Sequence, residues 1–163
     1  MNTMVYTSII QNTDLEKIAT NAIETLADLA KSRQVKIEWV NECATTQIDC
    51  DPDRIERVFT NLILNAIYQS PPHSSVIVDL QAKSNQYLVR VIDQGRGIKP
   101  ADLPSIFAKY YQGEIGRRSK GAGLGLYLVK QIIETHGGTI EVEPIVAKGV
   151  TFIFTLPKLA SEA

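Results

Sequence analysis

GAGLGLYLVKQIIETHGG, residues 121–138, sets Gly121, Gly123 and Gly125 at alternate positions directly ahead of an apolar helical period. Leu124, Leu128 and Ile132 recur at helical spacing with Val129 and Ile133 beside them, which predicts a helix over Leu124–Thr135 stopped by Gly137 and Gly138. Glycines clear side chains from a helix start, where unpaired backbone N–H groups and the positive end of the helix dipole collect. The combination is an anion site, most often for phosphate. It is not the dinucleotide-binding pattern, in which such glycines follow the first strand of a βαβ unit.

Working outward, the segment just before this helix, YQGEIGRRSKGAG (111–123), has glycines, the cations Arg117, Arg118 and Lys120, and no apolar period, so it predicts a mobile loop. A short helix is expected near Ala101–Phe107. Downstream, Thr139–Val146 and Gly149–Leu156 alternate in polarity and predict a hairpin, as do Ser75–Lys83 and Tyr87–Asp93 around KSNQ. DPDRIERVFTNLILNAIYQS (51–70) opens on an aspartate cap and Pro52, places Ile55, Val58, Phe59, Leu62 and Ala66 on one face, and stops at Pro71 and Pro72. Upstream, Asn12 or Thr13 is the expected cap of a helix to Ser32, with Leu15, Ile18, Ala22, Leu26 and Leu29 on its apolar face. Strands follow at Gln34–Val40 and Gln47–Asp49. The pattern predicts an α+β fold, a single layer of helices on a sheet.

Composition narrows the function classes. With 163 residues, 44% of them hydrophobic, the chain suffices for one domain with its own core. A net charge of -1 supplies no basic field, so nucleic acid is not expected as a partner. No apolar run is long enough to cross a bilayer and the N-terminus lacks a signal-peptide layout, which predicts a cytoplasmic domain. Cys43 and Cys50 lack the paired spacing of a zinc site.

Two more clusters carry chemistry. Arg54, Arg57, Asn61, Asn65 and Tyr68 fall three or four apart on one helix face, and Asn61 and Asn65 sit among core residues where an unpartnered carboxamide is costly. Their hard oxygens suit Mg²⁺ that also takes phosphate oxygens and water; satisfaction by nearby backbone is the bland alternative. VIDQGRGI (91–98) ends a strand in a carboxylate, Asp93, followed by Gly95 and Gly97, which permit left-handed backbone and close approach of a ligand; an ordinary glycine turn would look the same.

The order NLILNA (61–66), DQGRGI (93–98), IFAKYYQG (106–113) and GAGLGL (121–126) resembles the N-box, first glycine box, F-box and second glycine box of sensor histidine kinases. The resemblance implies the catalytic ATP-binding domain, a two-layer α/β sandwich of the Bergerat type with a mixed sheet of about five strands on about three helices. That fold is shared with gyrase, the mismatch-repair ATPases and a heat-shock chaperone. It further implies that ATP and Mg²⁺ are bound: Mg²⁺ by Asn65, with Asn61 lining the same pocket, and the adenine amino group by Asp93, with Gly95, Gly97 and Ile98 beside the base. Phe107 and Tyr110 match the aromatic pair flanking the nucleotide lid, and Gly121, Gly123, Leu124, Gly125 and Leu126 match the box at the triphosphate. Residues 13–158 would be the domain, 1–12 a linker from upstream helices and 159–163 a tail.

Departures from the family pattern also carry expectations. Tyr68 and Gln69 stand where the family usually has Lys-Tyr, so the phosphate-contacting lysine is missing; Arg117, Arg118 or Lys120 is the candidate substitute. Gln112 stands where arginine is frequent, and modest ATP affinity is expected. Neither His73, in a PPHSS turn, nor His136, at a helix end where a cation favours the dipole, fits the family's phosphoacceptor. The resemblance therefore implies an acceptor on dimerisation helices outside this chain, a response regulator receiver domain downstream, a monomeric isolated domain, and a homodimeric full-length protein whose membrane anchorage stays open. Asn61 occupies the place of the glutamate that activates water in gyrase-type hydrolases, and an amide is no general base, which favours phosphoryl transfer over hydrolysis. A nucleotide-binding module or an anti-sigma-like serine kinase acting on a partner protein is the alternative.

Overall fold

A computed structural model of the protein describes residues 9–108, 125–144 and 149–159. In chain order its elements are β1 (Gln11–Asp14), α1 (Leu15–Ser32), β2 (Val35–Asn41), β3 (Gln47–Cys50), α2 (Pro52–Gln69), β4 (Ser74–Lys83), β5 (Gln86–Ile92), a 3₁₀ helix (Pro100–Ser105), α3 (Gly125–Thr135), β6 (Ile140–Pro144) and β7 (Val150–Pro157). Five strands form one mixed sheet in the order β2-β4-β5-β7-β6, while β1 and β3 make a separate antiparallel pair. Among the described strands of this sheet only β2 and β4 pair in parallel. A parallel pair needs a crossover connection, and the crossover between these two contains α2, which is thereby laid across the sheet.

The helices cover one sheet face, and α2 is the middle one, in contact with both α1 and α3. Alternation along the strands sends Val76, Val78 and Leu80 of β4, Tyr87, Val89 and Val91 of β5, and Phe152, Phe154 and Leu156 of β7 into the core. From above, α2 contributes Ile55, Val58, Phe59, Leu62, Ile63, Ala66 and Ile67. Phe59 meets Phe154 edge to face with ring centroids 5.5 Å apart, which locks α2 to β7. The α+β two-layer sandwich is the architecture expected, and no helix among the described residues is long and apolar enough to cross a membrane.

The differences from expectation are local. The cap of α1 is Asp14, whose carboxylate accepts from Glu16 N–H at 3.0 Å, because Asn12 and Thr13 are held in β1 against Asp49 and Ile48. The Asp14 carboxylate also takes the Thr46 hydroxyl. Gln34, expected to open a strand, has φ 58 and instead closes the turn after α1. The helix after the first glycine box is a 3₁₀ turn that ends before Phe107, with Pro104 inside it denying an α-helical hydrogen bond.

Candidate functional site

The site is assembled where β5 ends, β7 begins and α2 terminates. Asp93 follows β5 and is only 3% exposed; its N–H donates to Val150 O at 3.0 Å, at the first residue of β7. Its carboxylate Oδ1 accepts from Gly95 N–H at 2.9 Å, closing a small ring that fixes the side chain. Burial pushes the Asp93 carboxyl up to about 6, and backbone hydrogen bonds from Gly95 and Val150 pull it back toward the ordinary range. The group is ionised at neutral pH and ready to accept a further hydrogen bond.

Backbone packing explains the glycines. A Cβ on Gly95 would strike the Gln69 carbonyl oxygen and lie 2.8 Å from Gln69 Cβ, so the loop rests directly on the end of α2. Gly97 has φ 81 and Gly149 has φ 88, both in the left-handed region, and a Cβ on Gly149 would strike the Asp93 carbonyl oxygen. Gly149 was read from the sequence only as a strand start. The glycines thus let the Asp93–Gly97 loop, the end of α2 and the start of β7 pack backbone to backbone around the buried carboxylate.

Along α2, Asn61, Asn65 and Gln69 stand four residues apart and so form one line. Asn61 Nδ2 donates to Gly125 O at 3.3 Å, tying α2 to the start of α3. Asn65 is 8% exposed and its carboxamide has no hydrogen-bond partner among the described residues. Gln69 is 4% exposed, and neither Nε2 nor Oε1 has a hydrogen-bond partner among the described residues. In the sequence Gln69 stands out only as a departure from the N-box; its position one turn beyond Asn65 is the available signal.

The other expected residues divide by location. Ile98 is partly buried against the core, and Leu126 is buried in α3. Phe107 packs edge to face on Phe152, centroids 6.2 Å apart, with Lys130 Nζ 5.5 Å from its ring centre, so it bridges β7 and α3. Tyr68 is covered by the Arg33 guanidinium at 4.8 Å and is engaged with the end of α1. Arg54 and Arg57 line a separate cavity of about 500 Å³ with Ile9, Gln11 and Asp51 at the start of α2. Tyr110, Arg117, Arg118, Lys120, Gly121, Gly123 and Leu124 lie outside the described residues.

His136, expected to complement the helix dipole as a cation, is instead held on both ring nitrogens. Nε2 accepts from Asp51 N–H at 3.1 Å and Nδ1 lies 2.8 Å from Ile132 O. The ring thus links the end of α3 to the start of α2. Among the described residues no group of three or more His, Cys, Asp or Glu could hold a metal ion. The carboxamide oxygen of Asn65 is of the hard type that could join phosphate oxygens and water around a magnesium ion.

Residues 50–160 match the family model described as histidine kinase-, DNA gyrase B-, and HSP90-like ATPase. The sensor histidine kinase ZraS of Salmonella typhimurium is 33% identical over 154 residues, covering 94% of this chain and 32% of ZraS. The chain thus spans about a third of that relative's length. Of the solved structures, the catalytic domain of histidine kinase ThkA superposes with a TM-score of 0.83 at 24% identity, over 93% of this chain and 97% of that one. A complex of ThkA with the response regulator protein TrrA superposes at 0.77 and 23% identity, over 91% of this chain and 42% of that one. With its boxes, its sandwich and more than half its length matched, the chain belongs to the histidine kinase-, DNA gyrase B- and HSP90-like ATPase family.

Proposed function

We propose that this chain is the ATP- and Mg²⁺-binding catalytic domain of a sensor histidine kinase, and that it presents the γ-phosphate to a histidine on dimerisation helices outside the chain. The observation that carries the reading is the Asp93 carboxylate, buried, braced by Gly95 N–H and set at one end of the Asn61–Asn65 line that reaches Gly125 at the other. ATP when bound supplies the phosphoryl group and, with its magnesium ion, the charge neutralisation. Asp93 accepts the exocyclic amine and so fixes the base. Asn65 offers an oxygen to the metal, and Asn61 braces the helix start that follows the glycine box. These residues contribute position and charge rather than a nucleophile. Asn61 has no basic lone pair to activate water, which supports transfer over hydrolysis. Partnership with a response regulator follows from the sensor-kinase reading and belongs to the same proposal.

Titration of the protein with a non-hydrolysable ATP analogue and Mg²⁺ in a calorimeter tests it. Saturable binding is expected, weakened at least about tenfold in Asp93→Asn and again in Asn65→Ala, since each removes a hydrogen bond or ligand to a charged group. Wild-type affinity in both variants would place the pocket elsewhere.

A further inference from the structure

Gln69 presents an unusual state for a folded protein. Nearly all buried polar side chains find a hydrogen-bond partner, because leaving a carboxamide unpaired in a low-dielectric interior forfeits its hydration with nothing in return. Gln69 is 4% exposed and both of its polar atoms lack one among the described residues, whereas neighbouring Ser70 is satisfied through its hydroxyl to Ala66 O at 2.7 Å. The residue sits at the last turn of α2, where its carbonyl oxygen and Cβ form the floor under Gly95. Gly95 in turn holds the Asp93 carboxylate. The orphaned carboxamide therefore leaves its helix against the same loop that carries the acceptor for the base.

We propose that Gln69 is a specificity-determining residue of the nucleotide pocket, its carboxamide pairing with the edge of the purine base beside the amine taken by Asp93. The inference rests on the ATP-binding reading above. Adenine presents, next to its amine, ring nitrogens that only accept. A carboxamide offers an N–H donor for such an acceptor and an oxygen for the second amine hydrogen, the pairing by which Gln and Asn recognise adenine elsewhere. Asp93 alone, being acceptor-only when ionised, reads the amine and nothing else. A site built to hydrogen-bond one edge rejects bases lacking the match, because its own buried groups are then left unpaired. The carboxamide that is orphaned in the free protein is satisfied on binding.

A chemical double-mutant cycle decides this. Binding of Mg²⁺ with the ATP analogue, its 7-deaza form and its 1-deaza form is measured by calorimetry for wild type, Gln69→Leu and the near-isosteric Gln69→Met, alongside thermal unfolding of the free proteins. Expected are at least about tenfold weaker binding of the parent analogue to both variants, and a loss on removing one of the two ring nitrogens that is seen in wild type and abolished in the variants. The free variants should unfold at higher temperature than wild type, because the orphaned carboxamide has gone. Equal losses in wild type and variants for both deaza analogues, or free variants that unfold earlier than wild type, would overturn the assignment. A wild-type protein that bound no nucleotide would instead refute the ATP-binding reading, which separates the two failures.

Discussion

Replacing Asp93 with asparagine should stabilise the free protein at alkaline pH and weaken its binding of nucleotide. The carboxyl is raised from 3.8 to about 6 by burial, a shift of roughly 2 units, equivalent to about 3 kcal/mol of pH-dependent stability. Its sign follows from the direction: because the folded pKa lies above the unfolded one, the folded state binds the proton more tightly. That contribution is fully present below about pH 4 and is lost as pH rises through about 6. Asparagine resembles the protonated acid and carries no such dependence. It keeps an acceptor for one of the two backbone hydrogen bonds to the carboxylate, and loss of the other costs about 1 kcal/mol at every pH. The difference in stability between Asp93→Asn and wild type should then grow by about 3 kcal/mol in favour of the variant between about pH 4 and 8. For a chain of this length that corresponds to about 6–12 °C in relative unfolding temperature. Matched urea and thermal unfolding series across this pH range read it directly. A difference that stays constant with pH, or that favours wild type increasingly as pH rises, would refute the account of a desolvated carboxylate held for a ligand. Nucleotide affinity of the wild type should meanwhile fall as the pH is lowered through about 6, since the protonated carboxyl is a poorer acceptor.

Gly95→Ala should destabilise the fold by about 1–3 kcal/mol in denaturant titrations, because the added methyl meets the backbone of Gln69 rather than a movable side chain. His136→Ala should cost a similar amount, about 1–3 kcal/mol, by leaving Asp51 N–H, at a buried residue, without its acceptor; a loss below about 0.5 kcal/mol would mean that water replaces the ring. Incubated with labelled ATP, the chain should leave His73 and His136 unphosphorylated, and a separately made dimerisation fragment of a matching kinase should take the label at its histidine; acid-labile label on either histidine of the chain would contradict the proposed transfer.

Legibility in the sequence followed the reach of the interactions involved. α1 and α2 were visible because helical period and caps are local, and the hairpin β4–β5 because alternation and a short polar turn lie within one stretch. β1 was not visible: QNTD is polar, four residues long and without alternation, and it is extended because β3 lies beside it, a partner whose position only the fold supplies. The same pairing moved the α1 cap to Asp14. His136 looked like a cation at a helix end, since nothing local shows that the start of α2 comes within hydrogen-bond distance of its ring. Gln69 shows in the sequence only as a departure from the N-box, because the Gly95 backbone that packs on it arrives from the end of β5.

The arrangement on α2 has a geometric cause. Residues four apart on an α-helix are offset by about 40° around the axis, because four residues slightly exceed one turn of 3.6. A line at that spacing winds around the helix, and on α2 it winds toward the core: Asn61 is half-buried, Asn65 is 8% exposed and Gln69 is 4% exposed. The end beside Gly125 is therefore wet and the end beside Asp93 is dry. Polar groups at a wet end exchange one partner for water at little cost, while groups at a dry end lose the full value of an unmade bond. If the nucleotide lies along this line as proposed, discrimination between ligands is concentrated where Gln69 and Asp93 lie, and tolerance where Asn61 lies. The core face of the same helix, from Ile55 to Ile67, holds the dry end in place, so a substitution that loosens Phe59 from Phe154 should blur base selectivity before it unfolds the sheet.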